Sequence, residues 1–194
     1  MNAAAQLDRR VAVAALLESR GRLLVVSGLG GTTWDVAAVG DHDLNFYLWG
    51  AMGLAVSTGL GLALAQPDYH VLVVTGDGEM LMGMGSLATV AVQQPGNLSI
   101  AVIDNERYGE TGEQETHTAK NTDLTAIARG AGIVDSQVLL TAEEVRAWAD
   151  NFGQATAPRF STIKVAAGNA PMVLPPRDGE MVTRRMRQEL GNSS

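Results

Sequence analysis

Gly76-Asp77-Gly78 closes one apolar run, Val71 to Thr75, and Asp104-Asn105 closes the next, Leu98 to Ile103. Twenty-five residues separate Gly78 from Asp104, room for one crossover helix and a return strand. Neighbouring strands of a parallel sheet deliver their carboxyl ends to one edge, where open α/β sheets bind ligands. The spacing therefore puts Asp77 and Asn105 side by side. A carboxylate and an amide oxygen meeting there can hold a hard cation such as Mg²⁺, and the glycines let backbone N–H groups approach a phosphate. The chemistry expected of this pair is the binding of a magnesium diphosphate.

Several elements must position these residues. Leu7 to Leu17 reads as an amphipathic helix, and Leu23 to Ser27 as a buried strand running into Gly28-Leu29-Gly30-Gly31. A strand followed by a glycine-rich turn is a place to receive a ligand. A helix from about Gly50, a helix from the Gly-Asp-Gly turn through Val92, a break at Pro95-Gly96-Asn97 and a polar loop from Asp104 to Thr118 follow. Helices at Leu124 to Ala131 and Ala142 to Phe152, then a strand at Phe160 to Val165, complete the alternation. Alternating β and α elements predict an α/β fold, a doubly wound parallel sheet. The expected organisation is one domain over 1–170 and a tail over 171–194 with a short basic helix.

The stretch from Leu44 to Pro67 carries no charge and is long enough to cross a bilayer. It holds Gly50, Gly53, Gly59 and Gly61, is flanked by Asp43 and Asp68, and has no Lys or Arg to anchor it. The better reading is a helix buried all round, its small residues permitting close backbone approach, which needs a second surface to cover it. Among 194 residues the net charge of −7 leaves no basic stripe for nucleic acid, and the lack of cysteine excludes disulfides and thiolate chemistry. The N-terminus lacks the apolar core and cleavage site of a secretory signal, so cytoplasm is expected.

Gly-Asp-Gly followed at this distance by Asn resembles the signature of thiamine diphosphate (ThDP) enzymes. The runs Asn45-Phe46-Tyr47-Leu48-Trp49-Gly50-Ala51-Met52-Gly53-Leu54-Ala55 and Asn105-Glu106-Arg107-Tyr108-Gly109-Glu110-Thr111-Gly112-Glu113-Gln114 resemble the cofactor-binding subunit of sulfopyruvate decarboxylases and the matching half of phosphonopyruvate decarboxylases. Pro176-Arg177-Asp178-Gly179 resembles the end of those chains. The likeness runs from about Leu23 onward and implies a ThDP-binding, diphosphate-domain fold.

The resemblance assigns Mg²⁺ to Asp77, the side-chain oxygen of Asn105 and the carbonyl of Arg107. It sets the N–H groups of Gly78 and Glu79 toward the diphosphate with a helix dipole behind them. Glu79 departs from the usual small residue, so its carboxylate must point away or pair with a cation. Gly50 would accept from the cofactor's amino group through its carbonyl, and Met52 would wedge between the two rings, against the plainer reading of a core methionine. Gly28, Leu29 and Thr32 would close the cofactor's far side, and Tyr108, Gly109 and Glu110 would complete the cradle, with Glu110 also able to face substrate. Where relatives carry an arginine for an anionic substrate this chain reads Thr33-Trp34-Asp35, a loss of bidentate recognition at that point. His42 and His117 are loop histidines able to carry protons, and His70 looks structural.

In similar enzymes a glutamate on a separate pyrimidine-binding domain starts the proton relay, and the chain has no room for that domain. The expected protein is the ThDP- and Mg²⁺-binding subunit of a split, non-oxidative decarboxylase of a small 2-oxo acid. A partner pyrimidine-binding subunit would supply the glutamate, with no nucleic acid or membrane involved. A homodimer or higher oligomer would use the Gly-rich helix. A carboligase subunit resembling acetolactate synthase, or a non-catalytic phosphate-binding α/β module, are the alternatives.

Overall fold

The protein is described here by a computed structural model covering residues 6–168 and 170–191. The outermost parts of the expected domain and tail, 1–5 and 192–194, and Asn169 lie outside the described residues. Six parallel strands form one sheet in the order β2-β1-β3-β4-β8-β7. They are β1 (Leu24–Ser27), β2 (Asn45–Tyr47), β3 (Val71–Gly76), β4 (Leu98–Asp104), β7 (Asp135–Leu139) and β8 (Arg159–Lys164). A separate two-stranded antiparallel hairpin, β5 (Arg107–Tyr108) with β6 (Gln114–Glu115), lies inside the stretch expected to be a plain loop.

Strand residues alternate between two cores, as the period of two requires. Leu24, Val26, Val71, Val73, Leu98, Ile100, Val102 and Phe160 face α3 (Ala55–Ala65), α5 (Gly85–Gln93) and α6 (Leu124–Ala131). Val25, Leu72, Val74, Ala101, Ile103 and Ile163 face α1 (Arg9–Leu17), α2 (Gly31–Val39) and α7 (Ala142–Ala149). Helices on both faces make the doubly wound sheet expected from the sequence. From β1 the chain steps outward to β2 and then crosses back to β3 on β1's other side. That reversal opens a crevice between the carboxyl ends of β1 and β3.

Besides the hairpin, three further elements were not anticipated. The helix α2 begins inside the glycine-rich turn, β2 has only three residues, and β7 is an edge strand whose Asp135 and Val138 are exposed. The helix expected from Gly50 starts five residues later, at Ala55, because Ala51 and Gly53 adopt left-handed backbone (φ 56° and 88°) that no α-helix can contain. Nor is it buried all round. Gly59 does face the sheet, where a β-carbon would fall 2.2 Å from Val73 Cγ2, but Ser57, Gly61 and Leu64 point outward, with Leu54 and Leu64 each 52% exposed. Among the described residues no helix is long and apolar enough to cross a membrane.

Instead of one helix through Val92 there are two, α4 (Asp77–Met82) and α5, broken at Gly83. The tail packs back on the domain: α8 (Gly179–Glu189), capped by Asp178, buries Val182 and Met186, and Arg185 binds Asp41 beside β2 at 2.6 and 2.8 Å. Trp49 Nε1 donates to the Pro176 carbonyl at 2.9 Å and Arg177 covers its ring.

The break at Gly83 is a contact. A β-carbon there would lie 2.2 Å from the Gly53 carbonyl oxygen, which is backbone and cannot swing aside. Gly83→Ala is therefore expected to lower stability by about 1–3 kcal/mol, measured by urea unfolding. A variant as stable as the parent would show that the two turns do not pack as described.

Candidate active site

The crevice between β1 and β3 contains a cavity of about 170 Å³. Its walls are the first turn of α1 (Arg9), the β1–α2 turn (Leu29 to Thr32), Met52, the start of α4 (Gly76 to Glu79), Ile103, Asn105, and the hairpin from Arg107 to Thr111. Of the residues singled out from the sequence, Leu29, Met52, Asp77, Gly78, Glu79, Asn105, Arg107, Tyr108, Gly109 and Glu110 meet here, and so does Thr32. Gly28 and Gly50 are not among the lining residues. His42 and His117 are exposed and away from it. His70 stacks on Phe152 at 5.0 Å and bonds Ser99, and burial pushes its pKa down to about 4, a structural setting.

Asp77 is not a surface turn residue. It is the first residue of α4 and is buried, with Thr116 donating to Oδ2. Thr118 Oγ1 lies 3.2 Å from the same oxygen and 2.8 Å from Asp104 Oδ1, so its single proton serves one carboxylate at a time. Pairing of Gly76 with Ile103 sets Asp77 level with Asp104 and Asn105 one residue beyond. Burial, opposed by the Thr116 hydroxyl and reinforced by the charge of Asp104, pushes the Asp77 pKa up to about 6. Lys164, at the end of β8, neutralises Asp104 from 3.0 Å and also binds Glu106. Asn105 Oδ1 accepts from the Arg107 N–H at 3.1 Å, which fixes the amide at the cavity wall.

Glu79 does point away, into the protein and without a cation. Thr75 donates to its Oε2 at 2.7 Å, and Oε1 has no hydrogen-bond partner. Burial raises its pKa against the Thr75 hydroxyl and the nearby amide dipoles of Leu29, Gly53 and Ala55. Gly28 is the space this side chain needs, since a β-carbon there would stand 1.7 Å from Oε2. Gly78 plays the same part for Tyr108, whose Cε1 lies 2.5 Å from where its β-carbon would be. The helix behind Gly78 has only six residues, so the expected dipole contribution is small. Met52 sits on the turn before α3 and belongs to neither core, which removes the plainer reading of a core methionine.

Sequence reasoning gave no role to Thr116, Thr118, Asp104, Lys164 or Arg9. Asp104, already named as closing a strand, and Lys164 carried a signal, as charged residues ending strands at the same sheet edge. Asp35 does not present its carboxylate to the cavity. It is buried against Arg9 Nε at 2.5 Å and Arg10 Nε at 3.3 Å.

Asp77 beside the neutral amide of Asn105 is a donor pair Mg²⁺ accepts when phosphate oxygens and water complete its shell. Among the described residues no group of three or more acidic or histidine side chains could hold a metal unaided. The residues present therefore fit a metal that arrives with a diphosphate.

Fold and cavity together define a doubly wound α/β domain with a cavity at the switch point. The chain belongs to the family described as thiamine pyrophosphate enzyme, C-terminal TPP binding domain, which matches residues 30–165. It is 48% identical over 110 residues to sulfopyruvate decarboxylase subunit beta of Methanocaldococcus jannaschii, a match spanning 57% of this chain and 58% of that one. It is 39% identical over 170 residues to the protein of the same name in Methanothermobacter thermautotrophicus, covering 86% of each. The thiamine diphosphate-dependent 4-hydroxybenzoylformate decarboxylase of Rhodococcus jostii RHA1 superposes with a TM-score of 0.68 at 22% identity, over 88% of this chain and 34% of that one, a likeness of fold alone.

The raised pKa of Asp77 has a definite sign. Between the unfolded value of 3.8 and about 6 the folded protein holds a proton that the unfolded chain has released. Stability present at low pH is thus lost as pH rises through about 6. In metal-free protein, the stability of wild type relative to Asp77→Asn should fall by on the order of 2–3 kcal/mol from pH 4 to 7, followed by urea unfolding in chelator. A difference independent of pH would contradict burial as the dominant influence on this carboxyl.

Proposed function

We propose that this chain is the cofactor-binding subunit of a ThDP- and Mg²⁺-dependent decarboxylase of a small 2-oxo acid, completed by a second subunit. The observation that carries the reading is the meeting of Asp77, Asn105, Met52 and the 107–110 hairpin around one cavity, in a chain of the thiamine pyrophosphate enzyme family. Bound there, ThDP would supply an electron sink for the loss of CO₂. Asp77, Asn105 and the Arg107 carbonyl would hold the metal, while Gly78, Glu79, Gly109 and Glu110 would offer backbone donors to the diphosphate. Leu29 would close the far side, Met52 would impose the bend between the rings, and Tyr108 would cover the start of α4. Gly28 and Gly50 would act from behind and beside the wall, Gly28 by admitting Glu79.

The relatives named as beta subunits support a partner. The exposed Leu54 and Leu64 on the outer side of α3 are apolar contacts such a partner would cover. The partner would contribute the activating glutamate and part of the substrate pocket, and without it the chain would self-associate through that face.

Two outcomes test this reading. Met52→Ala is expected to reduce turnover of the assembled enzyme by about a hundredfold while changing ThDP affinity little, because misplaced reacting groups are costly; turnover within twofold of wild type would contradict the wedge. The chain alone should be inactive toward 2-oxo acids, and NMR should show fast exchange of the thiazolium proton only after the co-purifying subunit is added. Equally fast exchange in the isolated chain would place the activating group here and end the split-enzyme reading.

A further inference from the structure

The cavity does present a cation, and it comes from α1. The Arg9 guanidinium lies across Gly31, where a β-carbon would fall 2.0 Å from Nη2, 2.5 Å from Cζ and 2.6 Å from Nη1. The side chain is only 9% exposed, yet it lines the cavity. Its Nε is spent on Asp35, while Nη1 and Nη2 make no hydrogen bond to any described residue. Asp35 also binds Arg10, so two arginines share one carboxylate and the buried cluster keeps one excess positive charge. Glu110, whose carboxylate stands over neighbouring Gly30, is the nearest acid along this wall and forms no ion pair with Arg9. A guanidinium sunk this deeply with its fork open is complete only when an anion occupies it.

We propose that Arg9 is an oxyanion-binding residue of this cavity, with its open Nη1–Nη2 edge taking the oxygens of a phosphoryl, sulfonate or carboxylate group. The Asp35 contact holds the fork in place and Gly31 gives it room, so the site is preorganised. The diphosphate end of the cofactor is the favoured source of the anion, because Arg9 lies on Gly31, between Leu29 and Thr32, which the resemblance assigns to the cofactor's far side. That assignment rests on the thiamine reading; the anion site itself does not. A second anionic group on the 2-oxo acid has the same chemistry and is the other source. In that second case, recognition lost at Thr33-Trp34-Asp35 is regained from α1.

The test uses cofactor-free chain together with its co-purifying subunit, titrated calorimetrically with ThDP and Mg²⁺, with magnesium pyrophosphate and with thiamine, which lacks the diphosphate. Arg9→Met should weaken ThDP and pyrophosphate by at least about tenfold, as loss of a charge-assisted hydrogen bond does, and leave thiamine unchanged. Arg9→Lys keeps the charge without the fork and should fall between; it carries the comparison if Arg9→Met does not fold. If cofactor and pyrophosphate binding are unchanged but KM rises tenfold only for 2-oxo acids bearing a second anionic group, the site stands and the anion is the substrate's. Arg9-dependent pyrophosphate binding with no added affinity for ThDP would keep the site and overturn the thiamine reading. If none of these quantities changes in a folded variant, Arg9 merely tethers α1 to Asp35 and the proposal fails.

Discussion

Two buried carboxylates, Asp77 just past the end of β3 and Asp104 at the end of β4, stand level, and the site around them depends on making that proximity tolerable. Like charges brought together out of water disfavour joint ionisation. The protein answers with Lys164 on Asp104 and with the hydroxyls of Thr116 and Thr118. Those threonines follow directly on the β5–β6 hairpin, so carboxylate and hairpin fix one another: the loop that satisfies Asp77 is the loop that walls the cavity with Tyr108 and Glu110. Asp77 lines the cavity, and a divalent cation there would offset the cost of its ionisation.

The glycines around the cavity act mainly through absent volume. Gly28 admits the Glu79 carboxylate, Gly31 the Arg9 guanidinium, Gly30 the side chain of Glu110 and Gly78 the Tyr108 ring. Of these four only Gly30 has left-handed backbone, φ 66°. A sequence rich in glycine near a strand end thus reads as a backbone cradle, while in the fold the same residues let long polar side chains from distant elements cross the backbone closely. Ala51 is the converse case, a residue with a β-carbon held at φ 56° in the turn that presents Met52, and strain of this kind concentrates at functional sites.

Much of this was legible in the chain. Buried central strands such as β3 and β4 are continuous apolar runs, and the Gly-Asp-Gly to Asn spacing measures one crossover, so the sheet and the meeting of Asp77 and Asn105 at one cavity followed from periodicity and reach. The short or edge strands β2 and β7, and α2, which starts inside a glycine-rich turn, did not show, because edge position and turn context, not composition, decide them. The start of α3 was misplaced because Ala51 and Gly53 hold left-handed backbone in a turn whose Gly53 packs against Gly83. Arg9 and Thr118 were invisible for another reason: their partners are far along the chain, and a charge or hydroxyl in a polar stretch carries no mark of the strand end it will meet.

The central claim, that Asp77 and Asn105 hold a divalent metal at the switch point for a diphosphate cofactor, is tested most directly by anomalous diffraction from crystals grown with ThDP and Mn²⁺ in place of Mg²⁺. The account predicts one strong Mn²⁺ peak within coordinating distance of Asp77, the Asn105 side-chain oxygen and the Arg107 carbonyl, adjoining the diphosphate. Mn²⁺ bound elsewhere, or ThDP ordered in the cavity with no metal at Asp77, would contradict it.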